Sequence, residues 1–190
     1  MTYLQKRWAF FSAVGLCVFI VFAWLKIPKK SGAVTQGVTN QFPSVVGTSL
    51  ARIDVAFPRD FAKPFNIVFI PFQQWQQGQV DSWVPFVQEL EAERDDVIYY
   101  ELPTVWEMNA AQRTFLNEGM RAGIPNETSR ERTITLYLDK PAFREQLNMP
   151  SEDTMYILLV TQAGEVVWMM DGAFSAEKAQ SLSNTLSAEG

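Results

Sequence analysis

Histidine is absent from all 190 residues, and cysteine occurs once, at Cys17 inside an N-terminal apolar run. Without an imidazole, and with no thiol after residue 17, Ser-His-Asp and Cys-His nucleophilic catalysis are excluded, as are His or Cys zinc sites. A single cysteine cannot close an intrachain disulfide, so no covalent staple supports the fold. The acid and base groups that remain are carboxylates, lysines and tyrosines, and they form no compact signature: Asp95-Asp96 and Glu152-Asp153 read as solvated turn residues. No cofactor and no metal are expected. Positive charge is also scarce beyond residue 30, where 11 lysines and arginines face 21 acidic residues for a net charge of −10. That balance argues against nucleic acid and anionic lipid headgroups as partners; its plainer role is solubility.

What the N-terminus has in abundance is apolar surface. Trp8 to Leu25 runs for 18 residues without a charge, enough helix to cover about 27 Å and span a bilayer. Trp8 and Trp24 sit where an aromatic belt would place them, and Lys6, Arg7, Lys26, Lys29 and Lys30 flank the run. Residues 1–30 are therefore expected to be a membrane anchor. A signal peptide cleaved near Ser31-Gly32-Ala33 is the alternative, although a lysine cluster between apolar core and cut is unusual for one. Two basic residues before the span and three after it leave the positive-inside rule nearly silent. A short N-terminal tail staying in the cytoplasm would put the following domain on the extracytoplasmic side of a bacterial or organellar inner membrane. Cys17 within the span is most simply a small apolar residue.

Residues 31–47, rich in Ser, Thr, Gly and Gln without periodicity, read as a flexible linker, and 48–190 as one domain. Leu50, Ile53, Val55 and Phe57 suggest a loosely alternating first strand. Asn66 to Phe72 (NIVFIPF) is a continuous apolar run, as expected of a central strand covered on both faces. A helix follows over about 76–94, with Pro85 inside it or with a start delayed to Ser82. Val97 to Leu102 reads as a strand, and Thr104-Val105-Trp106-Glu107 as a capping box opening a helix with Met108, Phe115, Leu116 and Met120 inward. Thr133 to Leu138 is the next strand, and Asp139 caps a short helix with Pro141 in its first turn. Tyr156 to Thr161 and Val166 to Met170 form a hairpin, and Ser175 caps a last helix with Ala179, Leu182 and Leu186 inward. This order predicts an α/β fold with a mainly parallel sheet and an antiparallel edge.

The turn Gln73-Gln74-Trp75-Gln76-Gln77 stands at the C-terminal end of the expected central strand, where α/β sheets place ligands. Amides and indoles suit exposed polypeptide backbone, and Trp is a frequent interface anchor. The simpler role for Trp75 and Trp83 is to cover the sheet. Arg121, Arg130, Arg132 and Arg144 offer an anion clamp, with solvated ion pairs as the plainer alternative.

The element order, ending in ββα, resembles the thioredoxin-like superfamily over roughly residues 48–187, which implies a three-layer α/β/α sandwich. In thioredoxins the helix proline follows the first cysteine of Cys-Gly-Pro-Cys by eight positions. Counting back from Pro85 gives Gln77-Gly78-Gln79-Val80, so Gln77 and Val80 occupy the sulfur positions. The superfamily's cis-proline position, set against MYILLVT, holds Met155. Within the superfamily, NIVFIPFQQWQQGQVDSWVPF (66–86) and YILLVTQAGEVVWMMDGAFSAEKAQSL (156–182) resemble the mitochondrial ATP synthase assembly factors that chaperone the membrane-embedded sector. That resemblance implies a protein that is not an enzyme, binding a subunit of a membrane complex through Trp75, Gln76, Gln77, Val80, Trp83 and Met155. The alternatives are an enzyme of peroxiredoxin-like ancestry using a non-thiol site at residues 73–80, or a purely structural interaction module.

Overall fold

The computed structural model describes residues 41–189. The expected span, Trp8 to Leu25, lies outside them, and among the described residues no helix is long and apolar enough to cross a membrane.

Among the described residues eight strands and five helices follow in order: β1 (Val45–Ser49), β2 (Asp54–Phe57), β3 (Phe65–Ile70), α1 (Gln77–Glu93), β4 (Val97–Glu101), β5 (Thr104–Val105), α2 (Ala110–Gly123), α3 (Glu127–Arg132), β6 (Ile134–Tyr137), α4 (Lys140–Gln146), β7 (Tyr156–Thr161), β8 (Val166–Asp171) and α5 (Ala176–Glu189). A 3-10 turn, Gln74–Gln76, leads into α1. One sheet has the order β4-β3-β7-β8 and a second the order β2-β1-β6-β5. They meet along residues 97–105. The N–H of Leu102 and of Thr104 donate to Phe69 and Pro71 beside β3 (2.7 and 2.9 Å), whereas Leu136 of β6 donates to Pro103 (2.9 Å).

β3 is buried at all six positions, and its period-two alternation divides the core. Phe65, Ile67 and Phe69 join Ile157 and Leu159 beneath Val80, Trp83 and Val87 of α1 and Leu182 and Leu186 of α5. Val68 and Ile70 join Leu158 and Val160 on the other face, against Phe42, Phe57, Phe61 and Phe143. A strand with both faces covered is apolar except where a polar side chain is fully satisfied, as Asn66 is by the Lys63 and Val160 carbonyls (2.7 and 3.3 Å), which is why the apolar run IVFIPF follows it directly. β3 pairs in parallel with β4 but antiparallel with β7, and β7 antiparallel with β8, while in the second sheet only β5–β6 is parallel. The expectation of a mainly parallel sheet with an antiparallel edge is thereby corrected: antiparallel pairing predominates in both sheets.

Several boundaries differ from the sequence reading. The 31–47 linker is too long: Phe42 is buried to 1% exposure and its N–H reaches Gly164 at 2.7 Å, and Val45 already begins β1. The single first strand is a hairpin, closed by the Ser49 N–H on the Ile53 carbonyl (2.8 Å) with Arg52 at φ +68. Thr104 caps no helix. It lies in β5 paired with Leu136, its hydroxyl spent on the Leu102 carbonyl (3.0 Å). Asn109 caps α2 instead: its Oδ1 accepts from Gln112 N (3.0 Å), and Gln112 Oε1 accepts from Asn109 N (3.1 Å). The expected inward stripe of α2 is wrong as well, since no residue of that helix is buried and Phe115 is 63% exposed. α1 begins at Gln77, so Pro85 lies inside it and removes one helical hydrogen bond. Asp139 and Ser175 cap α4 and α5 as expected, accepting from Ala142 N (3.0 Å) and Lys178 N (3.3 Å).

Candidate protein-interaction face

Three loops converge beyond the C-terminal end of β3. The first is the turn 72–79. Gln76 Oε1 accepts from the N–H groups of Phe72 and Gln73 (2.7 and 3.2 Å), and its Nε2 donates to the Glu152 carbonyl of the second loop (2.7 Å). An amide with both ends engaged is satisfied in the interior, and Gln76 is fully buried. The Gln79 side chain accepts the N–H of Met155 (3.0 Å). The third loop, 172–174, returns to both. Gly172 N–H donates to the Met155 carbonyl (2.9 Å), Trp83 Nε1 donates to the Gly172 carbonyl (3.1 Å), and Phe174 N–H donates to Ser82 Oγ (2.9 Å).

The residues singled out from sequence therefore share one end of the sheet but divide by exposure. Trp75 is 58% exposed and Gln77 is half-buried, its amide donating to Asp81 Oδ1 (3.0 Å). Gln76, Val80, Trp83 and Met155, expected on the interaction face, are all buried. Val80, Trp83 and Met155 belong to the core under α1 and α5. Val80, Trp83 and Val87 recur at i, i+3 and i+7, which places all three on the one face of α1 that covers the sheet. Among the described residues the cis peptide is Phe57-Pro58, not the bond before Met155.

Sequence reasoning missed Lys140. This lysine is buried to 3% exposure at the start of α4, where its ammonium is paired with Glu152. The same Nζ lies 5.2 Å from the Trp106 ring centre and 5.7 Å from that of Phe72, and Arg144 Nε stands 3.5 Å from Glu152 Oε1. A buried lysine is tolerable only when paired, and Glu152 supplies the pairing while its carbonyl takes Gln76. Glu152 is thus no solvated turn residue. The one available signal was position: Asp139-Lys140-Pro141 stands where a strand of the sheet ends. Trp106, 48% exposed above Lys140, is a second indole at this end of the molecule.

The layered core, the mixed sheet and the closing ββα unit define a thioredoxin-like α/β fold. No family model matches the chain, and no curated protein matches it in sequence. Solved structures match in fold. BsSco, a member of the Sco family of cytochrome c oxidase assembly proteins, superimposes with a TM-score of 0.53 at 10% identity, over 82% of this chain and 97% of that one. A thiol-disulfide oxidoreductase from Bacteroides fragilis gives 0.50 at 7% identity, over 77% and 98%. The second corrects the expectation of a non-enzyme: the fold found here is one in which named enzymes are built. No cysteine lies among the described residues, which removes thiolate chemistry from them, but the fold itself gives no ground for excluding catalysis.

Proposed function

We propose that the chain is a membrane-tethered, thioredoxin-like protein that binds another protein through the end of the sheet bearing Trp75, and that this binding assists assembly of a membrane complex. The observation that carries the reading is the exposure of Trp75 on a rigid base: the turn beneath it is fixed at both ends by the buried Gln76 amide. An aromatic side chain ordered before binding loses little entropy on contact, which suits an interface anchor. Three further observations support it. The 8–25 run is long enough to anchor the domain beside a membrane partner. The domain itself has no thiol for disulfide exchange. The fold is shared with a member of a family of assembly proteins. The resemblance of residues 66–86 and 156–182 to ATP synthase assembly factors names that complex as the first client to test.

The test is crosslinking of the full chain in native membranes, with Trp75→Ala alongside. Loss of the crosslinked partner at an unchanged melting temperature supports the reading. Equal crosslinking by the variant would place the interface elsewhere, and release of the full chain by alkaline carbonate would remove the anchor.

A further inference from the structure

Helix α2 leans on the β1–β2 hairpin mainly through polar groups, and between them lies a cleft of about 190 Å³ lined by Ser49, Leu50, Arg52, Asn117, Glu118 and Arg121 among others. Its donors outnumber its acceptors. Nη1 of Arg121 is buried and has no hydrogen-bond partner among the described residues. Leaving a charged N–H unmatched away from water is costly. Ser49 is buried, and its Oγ accepts the Ile53 N–H (3.1 Å), which leaves its own proton to give. Asn117 Oδ1 accepts the Tyr137 hydroxyl (2.7 Å). Burial raises the Tyr137 hydroxyl to about 12, so it remains a donor at neutral pH and the Asn117 amide nitrogen is the end left over. Among the described residues neither the Ser49 proton nor that amide finds a protein acceptor.

The charge points the same way. The Glu118 carboxyl is held below its ordinary range, first by the hydrogen bond from Arg52 and further by the charges of Arg121 and Arg130. Three guanidinium groups therefore act on one carboxylate, a local positive excess in a domain whose sequence is acidic. Of the four arginines that the sequence offered as an anion clamp, two are spent elsewhere, Arg132 on Glu91 (2.7 Å) and Arg144 beside Glu152. Arg130 donates to the carbonyls of Ile124 and Arg121 (2.5 and 3.3 Å) and so steadies the end of α2. Arg121 is left facing an unfilled requirement.

We propose that this cleft binds a small oxyanion, a phosphate or a monocarboxylate, through Arg121, Asn117 and Ser49. The site uses none of the residues of the Trp75 face and stands independently of the function proposed there. The full chain in detergent would be titrated with inorganic phosphate and, separately, with acetate, at ionic strength held constant with chloride, and followed by calorimetry. Saturable binding of either anion is expected, and whichever binds identifies the ligand class. Affinity should fall about tenfold or more in Arg121→Gln, the loss of one charge-assisted hydrogen bond, and should be unchanged in Arg59→Gln, whose guanidinium pairs with Asp60 instead. Asn117→Ala provides the second variant if Arg121→Gln does not fold, with the same direction expected. Absence of saturable binding by both anions, or binding equal to wild type in the variants, overturns the proposal.

Discussion

Gln79 Oε1 accepts the backbone N–H of Met155 at 3.0 Å, joining the first turn of α1 to the residue that opens β7. A proline at that position, as in the superfamily this chain resembles, would carry no N–H and need no acceptor. With methionine there, the N–H must be satisfied on the protein side, and a glutamine in the first turn of the helix does so.

Removing that acceptor should be costly. Gln79→Leu leaves the N–H of fully buried Met155 unmatched, for which about 1–3 kcal/mol of stability is expected to be lost. Urea denaturation of the full chain would measure it, with Gln79→Glu retaining an acceptor as the control. Equal midpoints for wild type and Gln79→Leu would mean that water or a neighbouring group replaces the amide.

Gln77 and Val80 should accept a redox pair. Both lie in the first turn of α1, at i and i+3, so the double variant Gln77→Cys, Val80→Cys is expected to close a disulfide under mild oxidation. Mass measurement after alkylation of free thiols checks it. A pair that remains fully alkylated would show that the eight-residue count back from Pro85 misassigns the positions.

The two tryptophans should behave differently. Trp83 is fully buried, in edge-on contact with Phe174 at 5.3 Å, and Trp83→Ala is expected to cost about 3–5 kcal/mol of folding free energy. Trp75→Ala, at an exposed position, should stay within about 0.5 kcal/mol of wild type. Melting curves decide: comparable losses from both would make Trp75 a structural residue.

Tyr137 sets an alkaline limit. Burial raises its pKa from 10.0 to about 12, so the folded state holds the phenolic proton more tightly than the unfolded chain does. The stability this contributes is complete below about pH 10 and lost as the pH rises towards 12. The phenolate absorbance missing from Tyr137→Phe, compared with wild type, should titrate near 12. A midpoint near 10 would show that the hydroxyl is solvated.

Asp60 acts at the acid end. Its carboxylate accepts from the Arg59 side chain and from the Ala56 N–H (2.7 Å), and the two together bring its pKa from 3.8 down to about 2. A depressed pKa stabilises the fold above about pH 4, and that contribution fades as the pH falls from 4 towards 2. Asp60→Asn should flatten the acid limb of the melting temperature over that interval. An unchanged limb would place the acid sensitivity in other carboxylates.

The central strand, the β7–β8 hairpin and the last helix were legible because their signals are local. Six apolar residues in a row need only a strand covered on both faces. The turn between β7 and β8 needs a residue that tolerates a positive φ, and Gly164 supplies it at φ +89, where a Cβ would come within 2.6 Å of Pro58. Each of these follows from the stretch of chain that carries it.

What tertiary structure decided were features whose partners lie far along the chain. Thr104 looks like a helix cap until its pairing with Leu136 draws it into a strand. Gln76 looks like a surface amide until the Glu152 carbonyl, 76 residues on, accepts its N–H and makes burial affordable. Lys140, alone an ordinary surface cation, is carried inside by the carboxylate of the same Glu152. By itself the sequence determined an acidic chain without histidine, with a single cysteine, and with the strand and helix periods of a layered α/β fold. Which polar groups would be buried, and hence that Trp75 and not Trp83 stands outside, depended on hydrogen bonds across the three loops. A polar group is cheap in water and costly in the interior, and only its distant partner determines which of the two applies.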